Sequence, residues 1–162
     1  MSGAERHDAA GKAGPVRTGG CLCAAVRYRV TGPLRPILLC HCEQCRRTSG
    51  HQVAATRAQR SDFTLEAAAG LRWYESSPGV HRGFCGECGS SLFWQPADRE
   101  SIGIMAGSLD LPTGLSIAGQ IHTADAADYY TLDPAVPAAE DGDPPVTAAV
   151  PDHPATDSKE ER

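Results

Sequence analysis

No stretch of this chain stays apolar for anything near the roughly 20 residues of a membrane span, and residues 1–14 carry no apolar core of the signal-peptide kind. A soluble, cytoplasmic protein is therefore expected, with no membrane partner. Long amphipathic helices are also missing, as is any internal repeat, so helical bundles and solenoids are excluded. Surplus positive charge is absent from the body. The formal net charge is −5, and seven acids against Lys159 and Arg162 after Asp133 account for all of it. A neutral body gives no electrostatic footprint for nucleic acid, and no nucleic-acid partner is expected. A disulfide framework is lacking too, because seven cysteines is an odd number and no secretion signal accompanies them.

The cysteines that are there fall into three short clusters: Cys21-Leu22-Cys23, Cys40-His41-Cys42-Glu43-Gln44-Cys45 and Cys85-Gly86-Glu87-Cys88. C-x-C and C-x-x-C steps are ligand spacings, and seven thiolates select a borderline-soft ion, with zinc the default. Three thiolates on one ion leave a fourth tetrahedral position open, which separates a working metal site from a structural one. Cys40, Cys42 and Cys45 are such a set. Cys21 and Cys23, placed on one face at the start of a strand, can close a four-sulfur site with Cys85 and Cys88. Spacing alone also permits Cys40 and Cys42 to join the second C-x-x-C; the division into four and three is the economical one.

Around these clusters the chain reads as mostly β. Val26, Tyr28 and Val30 alternate with Arg27 and Arg29, predicting a half-buried strand over 24–30. Ile37-Leu38-Leu39 is a short strand delivering Cys40, and residues 43–49 suit a helical turn. Further strands are expected over 52–56, 63–65, 71–75, 80–84, 92–94, 102–106 and 117–123. Cys85-Gly86-Glu87-Cys88-Gly89, set between two strands, has the layout of a zinc knuckle. One domain is expected over residues 15–133. Residues 1–14 read as a flexible leader, and residues 134–162, rich in Pro, Ala and acids, as a disordered tail.

Other candidates have weaker signals. His41, between two thiols, is expected to pack behind them, and His51 to be surface or a proton shuttle. Arg46 and Arg47 are candidates for steering an anionic substrate. Trp73, Phe93 and Trp94 are read as core, or as a wall of a pocket. Asp110 is read as a turn former.

Gly19-Gly20-Cys21-Leu22-Cys23, then Cys40 through Arg46 to Gly50, then Phe84-Cys85-Gly86-Glu87-Cys88-Gly89-Ser90, then Gly107-Ser108-Leu109-Asp110, together resemble the glutathione-dependent formaldehyde-activating enzyme family, also called the centromere protein V family. The resemblance implies an Mss4-like β-tent fold with two zinc ions. It makes Cys21, Cys23, Cys85 and Cys88 structural ligands and Cys40, Cys42 and Cys45 the catalytic set. It implies a carbon–sulfur lyase joining a small thiol, glutathione, to a small aldehyde, formaldehyde. The alternative function is a non-enzymatic zinc module that binds a partner protein. One segment departs from the family pattern: Gln120 stands where a histidine is usual, Ala126 where a basic residue is usual, and Tyr129 in place of a tryptophan.

Overall fold

The alternation of Val26, Tyr28 and Val30 against two arginines becomes strand β2 (Arg27–Val30) and the turn that enters it. In the computed structural model, which describes residues 14–142, those three side chains are fully buried and Arg29 lies in solvent. Antiparallel neighbours flank β2: β1 (Arg17–Gly20) on one side and β5 (Phe63–Ala67) on the other, making a three-stranded sheet. A second sheet is built from β3 (Ile37–Cys40), β4 (Val53–Gln59), β6 (Leu71–Ser77), β7 (Val80–Cys85), β8 (Ser91–Pro96), β9 (Ser101–Met105) and β10 (Ile117–Ile121). Their spatial order is β10-β3-β4-β9-β8-β7-β6, and only β10 and β3 run parallel. The single α-helix among the described residues, α1 (Glu43–Ser49), connects β3 to β4. No described helix is long and apolar enough to cross a membrane. The class is mainly β, the one expected of an Mss4-like chain.

The core lies where the buried face of β2 meets the larger sheet. Tyr28 packs its ring 5.5 Å from Phe63 and 5.3 Å, edge-on, from Phe93. Leu92, Ile102 and Ile104 complete this layer with Leu34 and Leu109. The two sheets are also tied outside the core. Asp110 donates its backbone N–H to Thr18 at 2.9 Å, and its carboxylate accepts from the Arg27 guanidinium and the Thr18 hydroxyl. Asp110 thus anchors the chain after β9 to the small sheet.

Tyr28 gives the core a pH signature. Its hydroxyl is 2.7 Å from Ser108 Oγ, and burial pushes the phenol up to about 12. The unfolded phenol ionises near 10, so from pH 10 to pH 12 the unfolded chain sheds this proton and the folded chain keeps it. Stability present below pH 10 is lost as pH rises through this window, by about 2–3 kcal/mol for two units. Denaturation midpoints of wild type and Tyr28→Phe, compared from pH 9 to 12, should diverge at the alkaline end, with the steeper fall in wild type. Parallel curves would mean the phenol ionises freely in the folded state.

Two expectations need correction. Cys21 and Cys23 sit in the turn between β1 and β2, not along a strand, because Ala24 adopts a positive φ (62°) that reverses the chain there. Trp73 is not core. It stands on β6, the last strand of its sheet, 39 % exposed, with one face stacked 5.9 Å from Phe93. Beyond Asp133 the described chain runs along β10: Gln120 N–H donates to Pro137 at 2.8 Å, Ala139 N–H returns a bond to Gln120 at 2.9 Å, and Ala138 bridges β10 in parallel. A Pro-rich stretch can add a strand-like edge where only alternate backbone groups must pair. The rest of the expected tail (143–162) and nearly all of the expected leader (1–13) lie outside the described residues.

Candidate metal centres

Two groups of thiols assemble, and each is positioned by chain reversals. In the first, Cys21 follows β1, Cys23 lies two residues on in the turn, Cys85 ends β7 and Cys88 lies in the β7–β8 turn. That second turn is closed by Gly89 N–H to Cys85 carbonyl at 2.8 Å and Cys85 N–H to Ser90 carbonyl at 2.9 Å. Gly89 takes the positive φ (75°) that the reversal demands. The sulfurs of Cys21 and Cys23 are 3.6 Å apart, and those of Cys23 and Cys85 3.7 Å. A disulfide would need about 2.05 Å. Sulfurs on a tetrahedral zinc at about 2.3 Å stand about 3.8 Å apart, so the four-sulfur set fits such an ion. Backbone N–H of Val26 donates to Cys21 Sγ at 3.2 Å, and Ser90 Oγ lies 3.2 Å from Cys88 Sγ. Hydrogen bonds with Ser90 draw the Cys88 thiol down to about 5, favouring the ligating form.

In the second group, Cys40 ends β3, Cys42 caps α1 and Cys45 lies in the first turn of that helix. Cys45 N–H donates to Cys42 Sγ at 3.4 Å, the bond an N-cap side chain ordinarily accepts. All three sulfurs fall within 4.8 Å of one another, with Cys45 buried and the other two half-buried. Cys45 is drawn down to about 5, chiefly by its hydrogen bond with Cys40, then by Cys42 and the Arg82 guanidinium. The Cys40 thiol is pushed far up by the same Cys45 pairing and by burial. Three soft donors with one thiolate already favoured also suit a zinc ion, here with a vertex that no described side chain fills.

His41 is not part of this group. Its ring is 1 % exposed and turned to the far side of the strand, where Nδ1 lies 2.8 Å from the Tyr130 hydroxyl. Burial keeps the imidazole below its ordinary pKa, hence neutral. His51 is exposed and meets Tyr130 edge-on at 4.7 Å. The departing segment therefore backs the thiol loop. Tyr130 supports His41, and the Tyr129 hydroxyl donates to Gly50 at 3.4 Å. Gln120, 2 % exposed, uses its amide to donate to the Asp133 and Val136 carbonyls.

A cleft of about 320 Å3 opens beside the second group, with Cys40 and Cys45 in its wall. Neither Arg46 nor Arg47 lines it. Arg47 lies on the outer face of α1 and pairs with Glu43 at 2.8 Å. The cations at the cleft are Arg35, Arg57, Arg82 and Arg99, which the sequence does not single out. Arg82, 8 % exposed, donates to Gln44 Oε1 at 2.8 Å and approaches Cys45 Sγ at 3.8 Å. Trp94 also lines the cleft, as one reading of it allowed. No sequence signal marks Arg82, two residues from Val80 and from Phe84 along β7; only the structure shows that it is buried.

A mainly β chain that gathers seven thiols into a four-sulfur and a three-sulfur group belongs to the class of small cysteine-rich proteins whose thiols could hold metal ions. Within that class, it belongs to the glutathione-dependent formaldehyde-activating enzyme family, whose model matches residues 16–125. None of the curated proteins compared with it matches the chain. Among solved structures, it is similar to a Rhodobacter sphaeroides protein determined as a structural genomics target. The two share 26 % identity over 62 % of this chain and 99 % of that one, with a TM-score of 0.48.

Proposed function

We propose that the protein is a zinc-dependent carbon–sulfur lyase-type enzyme that forms or cleaves a thiol adduct of a small aldehyde. The pair named by the family, glutathione and formaldehyde, gives S-hydroxymethylglutathione. The observation that carries this reading is the three-sulfur group beside a cleft that Cys40 and Cys45 line; a tetrahedral ion held by three thiolates would keep one position for an incoming ligand.

A zinc ion held there would supply an electrophilic position that favours the thiolate form of an incoming thiol at neutral pH. The chain's own residues do the rest. Cys40, Cys42 and Cys45 would hold the ion, and the α1 cap fixes two of them relative to each other. Arg82, beside Cys45, offsets the negative charge that gathers as thiolates crowd one ion. The cleft brings the carbonyl carbon to the sulfur. In the forward direction a C–S bond forms, the carbonyl π bond becomes a C–O single bond, and the oxygen takes up the proton the thiol released. Cleavage reverses each change. Cys21, Cys23, Cys85 and Cys88 would hold a second ion that ties the two sheets together.

Exchange between glutathione and formaldehyde, followed by NMR with and without zinc-loaded protein, tests the substrate. An exchange rate well above the spontaneous one is expected. No acceleration at any protein concentration would remove this pair as substrate.

A further inference from the structure

We infer that a second cavity, next to the cleft, receives the carbonyl half of the substrate and is built for an aldehyde with a short apolar substituent, the adduct's hydroxyl being held between Arg82 and Gln52. This rests on the reading that Cys40, Cys42 and Cys45 hold a metal that takes a thiol.

The cavity measures about 180 Å3 and shares Val53, Arg82 and Met105 with the cleft that Cys40 and Cys45 line. A ligand whose sulfur stands beside Cys45 therefore meets the cavity across that common wall. Strand order makes the place: Val53 opens β4, Arg82 lies within β7 and Met105 ends β9. Arg82 is the fixed point between the two spaces. Its guanidinium stands 3.8 Å from Cys45 Sγ and donates to Gln44 Oε1 at 2.8 Å.

Two buried polar atoms of residues in this lining have no hydrogen-bond partner among the described residues: Arg82 Nε, a donor, and Gln52 Oε1, an acceptor. A buried donor or acceptor left unpaired is costly, so both call for a partner. The Thr48 and Ser49 hydroxyls, also in the lining, already donate to the Cys45 carbonyl. A carboxylate or an ether only accepts, and serves Arg82 alone. A hydroxyl donates and accepts with one oxygen. Addition of a thiolate to an aldehyde makes such a group: the C–S bond forms, the carbonyl π pair moves onto oxygen, and that oxygen takes up the proton the thiol released. Arg82 Nε–H meets the charge as it develops on the oxygen, and Gln52 accepts from the hydroxyl that results.

The rest of the lining is apolar, with Val53, Ala54, Phe84, Phe93 and Met105 around the space. Formaldehyde has nothing to place against them. Water would satisfy the two polar atoms and gain nothing from this wall. An apolar cavity of about 150 Å3 is enough for a benzene ring, so this one has room for a substituent of three or four carbons.

The test uses the full chain loaded with zinc and one thiol, glutathione. NMR gives the ratio of catalysed to spontaneous exchange for butanal and for formaldehyde. The ratio for butanal should exceed that for formaldehyde by at least about tenfold. In Ala54→Val, whose added methyl groups take up cavity space, this preference should fall toward one. Equal ratios in wild type, or a preference kept in a folded Ala54→Val, overturns the proposal. Binding without turnover is read from the Arg82 Nε–H resonance of an isotopically labelled chain. n-Butanol should shift it saturably, and its isomer methyl propyl ether, which cannot donate to Gln52, should bind about two- to tenfold more weakly. This comparison decides if Ala54→Val does not fold. No shift with n-butanol, or equal affinity for the ether, means a cavity that holds water only and overturns the proposal. If neither aldehyde is accelerated, the lyase reading fails by itself, and the alcohol titration decides the cavity.

Discussion

Cys85→Ser should leave a chain without a normal cooperative melt, its transition lowered by at least about 15 °C or lost altogether. Cys85 is fully buried, belongs to the apolar core cluster, and holds its sulfur 3.7 Å from that of Cys23 across the junction of the two sheets. Structural zinc contributes about 10–16 kcal/mol of apparent binding free energy in small metal-dependent folds. Whole domains are stable by only about 5–15 kcal/mol. Loss of one of four ligands therefore removes a large share of what keeps this domain folded. The serine hydroxyl adds a further penalty of about 1–3 kcal/mol, since it would sit in the core without a partner. Circular dichroism melts at matched zinc concentration decide the matter. A Cys85→Ser melt within a few degrees of wild type would show that this group contributes no structural metal.

Cys42→Ser should do the reverse, keeping the melt and abolishing turnover. Cys42 is half-buried at the cap of a seven-residue helix, away from the core cluster, and serine can accept the same Cys45 N–H. Residues that merely orient metal ligands cost 10- to 100-fold when changed, so loss of a ligand should cost roughly a hundredfold or more. Metal content should fall from about two ions per chain to about one. The pairing of the two variants is what discriminates. Should Cys42→Ser lower the melt as steeply as Cys85→Ser, the three-sulfur group is structural, and the reading as a non-catalytic zinc module takes its place. Retention of turnover and of both metals would remove Cys42 from the site.

These contrasting roles were legible only in part. The clustering of seven thiols and their spacings pointed to metal before any coordinates, because ligand spacing is a local property of the chain. Ser101–Met105 was legible from the alternation of Ile102 and Ile104, and Ile37–Cys40 from a short apolar run, both patterns written within four or five residues. Strand β1 was not recognised, because Arg17-Thr18-Gly19-Gly20 has no apolar alternation and owes its pairing to β2 and to the approach of Leu109. Arg46 and Arg47 drew attention by adjacency to Cys45. Helical rotation carries Arg47 to the outer face, and the cations at the cleft come from strands far apart in sequence. The exposure of Trp73 was equally hidden, since its residue type says core and only the edge position of β6 says otherwise.

By itself, then, the sequence determined a β-rich chain, three short thiol clusters with metal-ligand spacing and their family, because each is encoded in residue type and short-range spacing. Tertiary structure alone decided which sulfurs meet, that His41 turns away to Tyr130, that the chain from Pro134 to Ala139 runs along β10, and that four arginines line the cleft beside Cys40 and Cys45. Apart from the Cys40–Cys45 loop, those are contacts between segments at least 13 residues apart, which chain-local pattern does not encode.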